Sequence, residues 1–349
     1  FVRQADRFNK RLATEDTSKY KVIRRGDIAF NPYLVWAGAV AQNTIVDAGV
    51  ISPLYPTFKV RRGFDPRYVG LLLLAPEVVK RYDGIAFGSV PRRRRTSVAD
   101  FLNLEVPSPP PIEEQRRIAS ILDGVRRLHS QASERMGLFA EQSAALVAQA
   151  TRKASATTSL GSIIESGPSN GLYKPGSAYG TGTRIVRIDS FDGGKIDQAG
   201  LKRLSVTPAE QVRFGLDPTD ILINRVNAMS HVGKAALVGP LDEPAVYESN
   251  MMRIRVGDEW LPEFIAAWLS SQDARRQIRS RAKQAINQAS INGRDVKALR
   301  VPALSSREQH DLVGHLNRVT ALAAQQSRMS EAIDVLWASL EARAFSGRL

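Results

Sequence analysis

The chain has 349 residues and no cysteine, so its length predicts two or three domains and its composition excludes disulfides, thiol catalysis and thiolate metal sites. A net charge of +14 and a pI near 10.2 indicate a polyanionic partner, and nucleic acid is the simplest choice. The longest apolar run, residues 69–75, is too short to cross a bilayer, and we expect a cytoplasmic protein without a membrane partner.

Positive charge concentrates in two blocks of the chain. Residues 1–111 hold 18 Lys or Arg against 10 Asp or Glu, and residues 154–304 hold 19 against 15. The segments 112–153 and 305–349 are nearly balanced, with 7 basic against 5 acidic residues in the first and 5 against 5 in the second. The charge therefore predicts that the two blocks contact the polyanion.

The first block begins with about 20 polar residues, for which we expect helix and loop. A turn at Gly26-Asp27 precedes a predicted strand at Ile28–Phe30, and residues 40–46 and 57–60 are further strand candidates. Pro66 predicts the start of a helix that runs through residue 81. Residues 88–97 contain four consecutive arginines and are predicted to form an exposed basic loop.

A long helix is predicted from Pro111 to about Lys153. Proline suits a first helical position because it lacks an N–H group that would be unpaired there. Apolar or small residues recur at steps of three and four, a heptad rhythm that predicts a helical partner. These residues are Ile118, Ile121, Val125, Leu128, Ala132, Met136, Phe139, Ser143, Leu146 and Ala150.

The second block repeats the first about 193 residues downstream, which indicates an internal repeat. Residues 219–226 match 26–33, residues 252–256 match 57–60, the predicted helix 262–281 matches 66–81, and the Asn- and Gln-rich residues 284–294 match the arginine loop. Ahead of these matches, the Gly- and Ser-rich residues 161–183 are predicted to be a surface loop, and residues 183–189 a strand.

A second long helix is predicted over residues 306–344, and it starts at a capping box formed by Ser305 and Glu308. Its apolar positions are Leu312, Leu316, Val319, Ala323, Met329, Ile333, Leu336 and Leu340. Two heptad helices of equal length most economically bury their apolar seams on each other in an antiparallel arrangement.

The sequence therefore predicts an α+β fold with a pseudo-two-fold internal repeat, in which two α/β domains are separated by two long antiparallel coiled-coil helices. The predicted boundaries are 1–106 for the first domain, 107–153 for the first helix, 154–304 for the second domain and 305–349 for the second helix. Two unrelated domains, each with its own helical bundle, are the alternative.

Three segments resemble one known family. They are Pro-Pro-Ile-Glu-Glu-Gln-Arg-Arg-Ile-Ala-Ser-Ile-Leu-Asp at 110–123, its echo Ser-Arg-Glu-Gln at 306–309, and the closing residues 340–349. With them the chain resembles, over nearly its whole length, the DNA sequence-specificity (S) subunits of type I restriction–modification systems. The resemblance implies two target-recognition domains, each of which reads half of a split sequence in double-stranded DNA.

The resemblance further implies that the long helices set the spacing of the two domains and dock two methyltransferase subunits, together with restriction subunits. S-adenosylmethionine is then expected in the methyltransferase and no cofactor in this chain. One departure stands out, because residues 159–201 of the second block have no counterpart in the first. We expect either a truncated N-terminus or a reduced first recognition domain.

The sequence offers no catalytic set. It lacks a glycine-rich cofactor loop, and Asn31-Pro32-Tyr33 lacks the second proline of an adenine methyltransferase motif. The four histidines, His129, His231, His310 and His315, have spacings that do not suit a shared metal ion. We therefore predict a binding protein, not an enzyme, with no metal site.

The candidate DNA-binding residues lie in the predicted loops and have side chains that pair with bases or phosphates. In the first block they are Asn31, Tyr33, Trp36, Arg92, Arg93, Arg94 and Arg95; in the second they are Asn224, Arg225, Asn227, His231, Lys283, Asn287, Gln288, Asn292 and Arg294. For Tyr33 and Trp36 a place in the core is an equal alternative, and each arginine could serve as a solvated charge.

Two other functions stay open. The chain could be a coiled-coil scaffold whose basic charge binds polyanions without sequence preference, which equal affinity for any polyanion would favour. It could also be a stand-alone DNA methyltransferase or nuclease with a cryptic site, which methyl transfer or cleavage by the lone chain would favour.

Overall fold

The computed structural model describes residues 1–2, 6, 16–88, 94–285 and 288–349. The chain divides into two compact units: unit 1 consists of Phe1–Glu134 and Ser327–Leu349, and unit 2 of Arg135–Gln326. Both units contain parts of two long helices, α4 (Ile112–Lys153) and α10 (Ser306–Phe345). No helix among the described residues is long and apolar enough to cross a membrane.

Unit 1 is built on two small antiparallel sheets. Its strands are β1 (Lys21–Arg24), β2 (Ile28–Phe30), β3 (Val40–Gln42), β4 (Ala48–Ile51) and β5 (Thr57–Phe58), and its short helices are α1 (Pro66–Leu72), α2 (Pro76–Arg81) and α3 (Val98–Leu102). The strand β2 lies between β3 and β5, and β1 pairs with β4. The predicted strand over residues 40–46 ends early, because the side chain of Asn43 folds the chain into a turn by bonding the backbone of Val46.

The core of unit 1 joins the three-stranded sheet β3-β2-β5 to both long helices. Phe30 of β2 stacks on Phe101 of α3 with ring centroids 4.2 Å apart. Ile118 and Leu122 of α4 and Ala344 of α10 complete the same buried cluster. The long helices are therefore part of the unit's core, which explains why a glycine at 124 is tolerated within α4.

Within unit 1 the two long helices are antiparallel, as predicted. Ile118 and Leu122 share a cluster with Ala344, whereas Val125 and Ala132, further along α4, pack with Ile333, which comes earlier in α10. In unit 2, Leu146 and Ala150 of α4 and Leu312 and Leu316 of α10 belong to one cluster.

Not every predicted seam position is buried. The side chains of Leu128, Met136, Met329 and Leu336 are 50%, 37%, 55% and 44% exposed. A straight helix of 3.6 residues per turn drifts away from a 3.5-residue repeat, so a strict heptad reading leaves the contact face after a few turns. The heptad prediction was therefore wrong at these four positions.

Unit 2 is larger and has four main groups of strands. Its strands are β6 (Thr157–Ser159), β7 (Ile164–Asn170), β8 (Tyr179–Val186), β9 (Phe191–Asp192), β10 (Lys195–Ile196), β11 (Lys202–Leu204), β12 (Ile221–Asn224), β13 (Val226–Asn227), β14 (Ala235–Leu237), β15 (Ala245–Tyr247), β16 (Met251–Val256), β17 (Lys283–Gln284), β18 (Ala289–Ser290) and β19 (Arg300–Pro302). Its helices besides α4 and α10 are α5 (Leu160–Ile163), α6 (Pro208–Phe214), α7 (Pro262–Leu269), α8 (Gln272–Arg281) and α9 (Gly293–Lys297). The sheets have the orders β14-β12-β16-β7, β11-β8-β15, β13-β18-β17 and β19-β6, besides the β9-β10 ribbon.

The internal repeat is visible in the hydrogen bonds of the two units. In unit 1 the buried Gln115 accepts from the backbone N–H of Asp65 at 2.9 Å and donates to Pro110 O at 2.7 Å. In unit 2 the buried Gln309 accepts from the N–H of Leu261 at 2.9 Å and donates to Leu304 O at 3.1 Å. Each glutamine fastens the start of a long helix to the residue that precedes a short one.

The turn ahead of the central strand repeats in the same way. Asp27 accepts from the N–H of Arg24 at 2.8 Å, and Asp220 accepts from the N–H of Asp217 at 2.8 Å. Asp220 is fully buried and also bonds Arg255, whose pKa this bond raises. The capping box predicted at the start of α10 is also present, since Ser305 N donates to the carboxylate of Glu308 at 2.8 Å.

Two predictions about secondary structure, one in unit 2 and one in both units, were wrong. Residues 161–183 are not a loop, because most of them form the strands β7 and β8. Gly182 has φ of +104°, and a Cβ there would lie 2.6 Å from Leu204 O, so glycine permits a close strand approach. The helices predicted over 66–81 and 262–281 are each two helices, because Pro76 cannot continue α1 and Ser271 caps the start of α8. The predicted domain boundaries stay predictions.

Candidate nucleic-acid interface

In unit 1 the predicted loop residues after β2 lie beside the chain that leaves the arginine run. The backbone N–H of Thr96 donates to Pro32 O at 2.8 Å, and Thr96 is buried. Phe87 and Arg95 form an antiparallel bridge with two backbone bonds of 3.1 and 2.9 Å. Asn31 accepts from the N–H of Tyr33 at 3.0 Å, so its side chain forms a turn.

Arg94 is bound within its own unit. Its guanidinium donates to the carboxylate of Asp83 at 2.6 Å, to Asp83 O at 2.6 Å and to Ala86 O at 2.9 and 3.0 Å. It also lies over the ring of Trp36, 5.7 Å from the centroid. Trp36 in turn donates its ring N–H to Tyr33 O at 2.9 Å. Arg94 and Trp36 therefore brace the loop.

Arg95 is different, because its side chain is exposed. Its guanidinium lies over the ring of Tyr33, 5.7 Å from the centroid. Tyr33 is 36% exposed and Phe87, which the sequence analysis did not single out, is 64% exposed. Exposed aromatic rings beside a cationic side chain form a surface suited to bases and phosphates. The other predicted arginines, Arg92 and Arg93, lie outside the described residues.

In unit 2 the two predicted segments meet in one small sheet. The strand β18 lies between β13 and β17, and Ile291 N donates to Arg225 O at 2.9 Å. This bond is the counterpart of the one from Thr96 to Pro32 in unit 1, with both partners about 194 residues downstream. The structure thus brings Asn227 close to the hairpin that contains Lys283 and Gln288.

The remaining predicted residues of unit 2 are partly committed to the fold. Asn292 caps α9, where its side chain accepts from the N–H groups of Arg294 and Asp295. His231 is exposed, and its Nδ1 lies 2.7 Å from Ser230 Oγ. Arg294, Lys283 and Gln288 are exposed. Asn287 lies outside the described residues.

Asn224 does not reach the surface. Its side chain is 0% exposed and donates to Ile188 O at 3.3 Å. Arg225 is half-buried and donates to Ser249 O at 3.2 Å. Asn224 is the last residue of β12, whose four residues are all buried, so its amide lies in the core and the surface position expected for it is not observed.

Besides Phe87, two residues that the sequence analysis missed belong to these surfaces. Gln284 is exposed on β17, and Ser290 is half-buried on β18, where it pairs with both Lys283 and Val226. A closer alignment of the two repeats would have found Ser290, because it pairs with Lys283, which was already chosen. In the part of the chain that is described, no three His, Asp or Glu side chains are grouped so that they could hold a metal ion.

The chain is similar to known proteins in sequence and in structure. No family model matches the chain. It is 30% identical over 186 residues to the type I restriction enzyme EcoKI specificity subunit of Escherichia coli strain K12. That alignment covers 52% of this chain and 40% of the relative, so the chain spans less than half of the curated protein's length.

Solved structures share the fold. One, described as the structural basis of complex assembly and conformational transition of the type I R-M system, matches with a TM-score of 0.61 at 17% identity and covers 96% of this chain and 85% of its own. The type I S subunit from M. genitalium matches with a TM-score of 0.55 at 14% identity over 94% of this chain and 85% of its own. The predicted fold class and the resemblance to type I S subunits are confirmed.

Proposed function

We propose that this chain, which has the fold of type I S subunits and resembles them in sequence, is the DNA sequence-specificity subunit of a type I restriction–modification system. In this function it recognises a bipartite sequence in double-stranded DNA and catalyses no reaction itself. The observation that supports this most is the repeat of one backbone scaffold, which carries different side chains at its exposed end in each unit.

The chemistry of the two exposed ends supports a reading role. Unit 1 offers Arg95 beside Tyr33 and Phe87, and unit 2 offers Lys283 and Gln288. The forked guanidinium of arginine matches the two acceptors of guanine, both arginine and lysine match phosphate, and glutamine matches adenine in the major groove. Because the side chains differ while the backbone bonds agree, we expect the two units to prefer different short sequences.

Partner subunits would supply the chemistry. In unit 1 the helices α4 and α10 expose Leu128, Met329, Val335 and Leu336, of which Val335 is 71% exposed. Apolar side chains left exposed on a helix can be covered by a partner chain. We expect two methyltransferase subunits, which would hold S-adenosylmethionine, to dock on the long helices, together with restriction subunits, in the cytoplasm.

The test is the methylation pattern of a methylation-deficient host that expresses this chain with the methyltransferase subunit of the same system. We expect a split motif, with two short specific halves around a fixed gap. Modification at every site without a motif would favour the non-specific scaffold. Methylation or cleavage by the purified chain without its partner would favour the stand-alone enzyme instead.

A further inference from the structure

The two units carry different side chains at matched positions of the same backbone scaffold. The bond from Thr96 to Pro32 in unit 1 corresponds to the bond from Ile291 to Arg225 in unit 2. Tyr33, one residue after Pro32, therefore corresponds to Val226, and Arg95, one residue before Thr96, corresponds to Ser290. In unit 2, Val226 and Ser290 are paired residues of neighbouring strands. In unit 1, the side chains of Tyr33 and Arg95 are in contact.

Arg94 and Arg95 are neighbours in sequence but have opposite roles in the structure. The side chain of Arg94 is 21% exposed, and its hydrogen bonds to Asp83 and Ala86 occupy each of its three nitrogen atoms. Among the described residues no carboxylate lies within 4.0 Å of the Arg95 guanidinium, and no oxygen accepts a hydrogen bond from it. Arg95 therefore has a full set of donors available to a ligand.

The position of Arg95 is also fixed in advance. Its backbone is held on one side by the two bonds to Phe87, and the next residue is held by the bond to Pro32. The ring of Tyr33 supports the guanidinium plane at 5.7 Å. Holding a long side chain before binding reduces the conformational entropy that is lost on contact, and a planar supported guanidinium presents its fork edge-on.

We propose that Arg95 is the residue of unit 1 that selects a guanine, by donating two hydrogen bonds to the O6 and N7 atoms in the major groove. This inference rests on the proposed function and adds the base and the residue that reads it. A bidentate arginine–guanine pair is the usual way in which a supported arginine selects a base. Unit 2 has Ser290 at the matched position and makes no such pair there.

A phosphate contact is the competing role for an exposed arginine. The two roles differ in what they change, because a phosphate contact carries no sequence information whereas a base contact does. Lysine preserves the charge but not the two-pronged donor of arginine. Arg95→Lys therefore separates the roles: it weakens the preference for guanine if Arg95 reads a base, and it changes little if Arg95 neutralises a phosphate.

The experiment compares the methylation motifs of the wild-type, Arg95→Lys and Arg95→Ala complexes in a methylation-deficient host. We expect a guanine at one position of one half-site in the wild type and relaxation at that position alone in both variants, by roughly 5-fold to 150-fold in discrimination. The second half-site and the gap serve as the internal control, since unit 2 is unchanged. Unchanged thermal unfolding of the purified variants shows that they fold.

Each remaining outcome is decisive. A bipartite motif that neither Arg95→Lys nor Arg95→Ala changes overturns the inference while the proposed function stands. A uniform loss of methylation in Arg95→Ala without a change of motif overturns it as well, in favour of a phosphate contact. A wild-type complex without any motif defeats the proposed function and the inference together. As a second measurement, Tyr33→Ala should partly relax the same position and Tyr33→Phe should not, because the phenylalanine ring still supports the guanidinium.

Discussion

Gln309 binds the backbone of Leu261, with its Oε1 atom 2.9 Å from the Leu261 nitrogen, although 48 residues separate them. Its amide nitrogen donates to Leu304 O and Glu259 O at 3.1 and 3.2 Å, so one buried side chain satisfies three backbone groups. Gln115 makes the corresponding bond to Asp65 in unit 1 at 2.9 Å. These two residues are thus the points at which the long helices are fastened to the units.

Replacement of either glutamine should loosen its own unit. Gln309→Ala leaves buried backbone groups without a partner, which costs about 1–3 kcal/mol per group. We expect faster amide hydrogen exchange in the peptide that contains Leu261 and unchanged exchange in the one that contains Asp65, and the reverse for Gln115→Ala. Gln142→Ala, at an exposed position of α4, is the control and should change neither. An equal change in the exchange rates of the two peptides, in either variant, would contradict the assignment of one glutamine to each unit.

The contact between α4 and α10 in unit 1 can be tested at adjacent residues. Ala132 is 3% exposed and packs with Ile333, whereas Ser133 is exposed. Ala132→Glu buries a carboxylate in an apolar seam and should lower the free energy of unfolding by more than about 2 kcal/mol. Ser133→Glu adds the same charge at the surface and should change it by less than about 0.5 kcal/mol. Denaturant titration measures both, and equal effects would show that the seam is elsewhere.

A pH dependence is expected at Glu341 in the same pair of helices. Burial raises the pKa of Glu341 above its ordinary 4.5, although a hydrogen bond from Trp337 and the charge of Arg126 act in the opposite direction. The folded state therefore binds the proton more tightly than the unfolded chain does, and stability falls as the pH rises from 4.5 through the raised value.

Glu341→Gln removes that dependence because glutamine is neutral at every pH. We expect the variant to melt at a higher temperature than the wild type at pH 7, with the difference disappearing below pH 4.5. Glu331→Gln, at an exposed position of the same helix, removes the same charge and serves as the control variant. Melting temperatures at several pH values test this prediction. A difference between Glu341→Gln and the wild type that persists below pH 4.5 would contradict the raised pKa of Glu341.

In unit 2, Lys283 of the β17–β18 hairpin should contribute to DNA binding. If the proposed function holds, Lys283→Ala should lower the slope of affinity against salt by about 1, because one phosphate contact is lost. Lys202→Ala removes an exposed lysine from a different sheet and is the control. Binding of the assembled complex at several salt concentrations measures both, and an equal slope in the two variants would rule out a contact by Lys283.

Asn224→Ala should leave the methylation motif unchanged, because the side chain is fully buried. It removes the donor to Ile188 O and should cost about 1 kcal/mol of stability. The expected signature is a lower unfolding midpoint together with a wild-type motif. A changed motif would return Asn224 to the set of reading residues.

Several features could be predicted from the sequence because their signals are local. The capping box of Ser305 and Glu308 and the recurring apolar positions that follow it predict the start and approximate length of α10. The match of residues 219–226 to 26–33 fixes the equivalence of the central strands β12 and β2. The first depends on residues that are close in the chain, and the second needs only the comparison of two short segments, so neither required knowledge of three-dimensional contacts.

Other features depend on distant partners and could not be found in this way. The strand β7 is rich in Gly, Ser and Asn, and it forms because β16 offers it a hydrogen-bonding edge. Asn224 is buried because Ile188 supplies an acceptor 36 residues away. The difference between Arg94 and Arg95 comes from Asp83 and Tyr33, whose positions no pattern in the arginine run reveals.

The bonds from Thr96 to Pro32 and from Ile291 to Arg225 join main-chain atoms only. Their formation does not depend on which side chains stand at the neighbouring positions 33, 95, 226 and 290. If the proposed function holds, single substitutions there should change the recognised sequence while the two backbone bonds remain. Under the proposed function, this arrangement would let a new target sequence arise one substitution at a time while the backbone scaffold is kept.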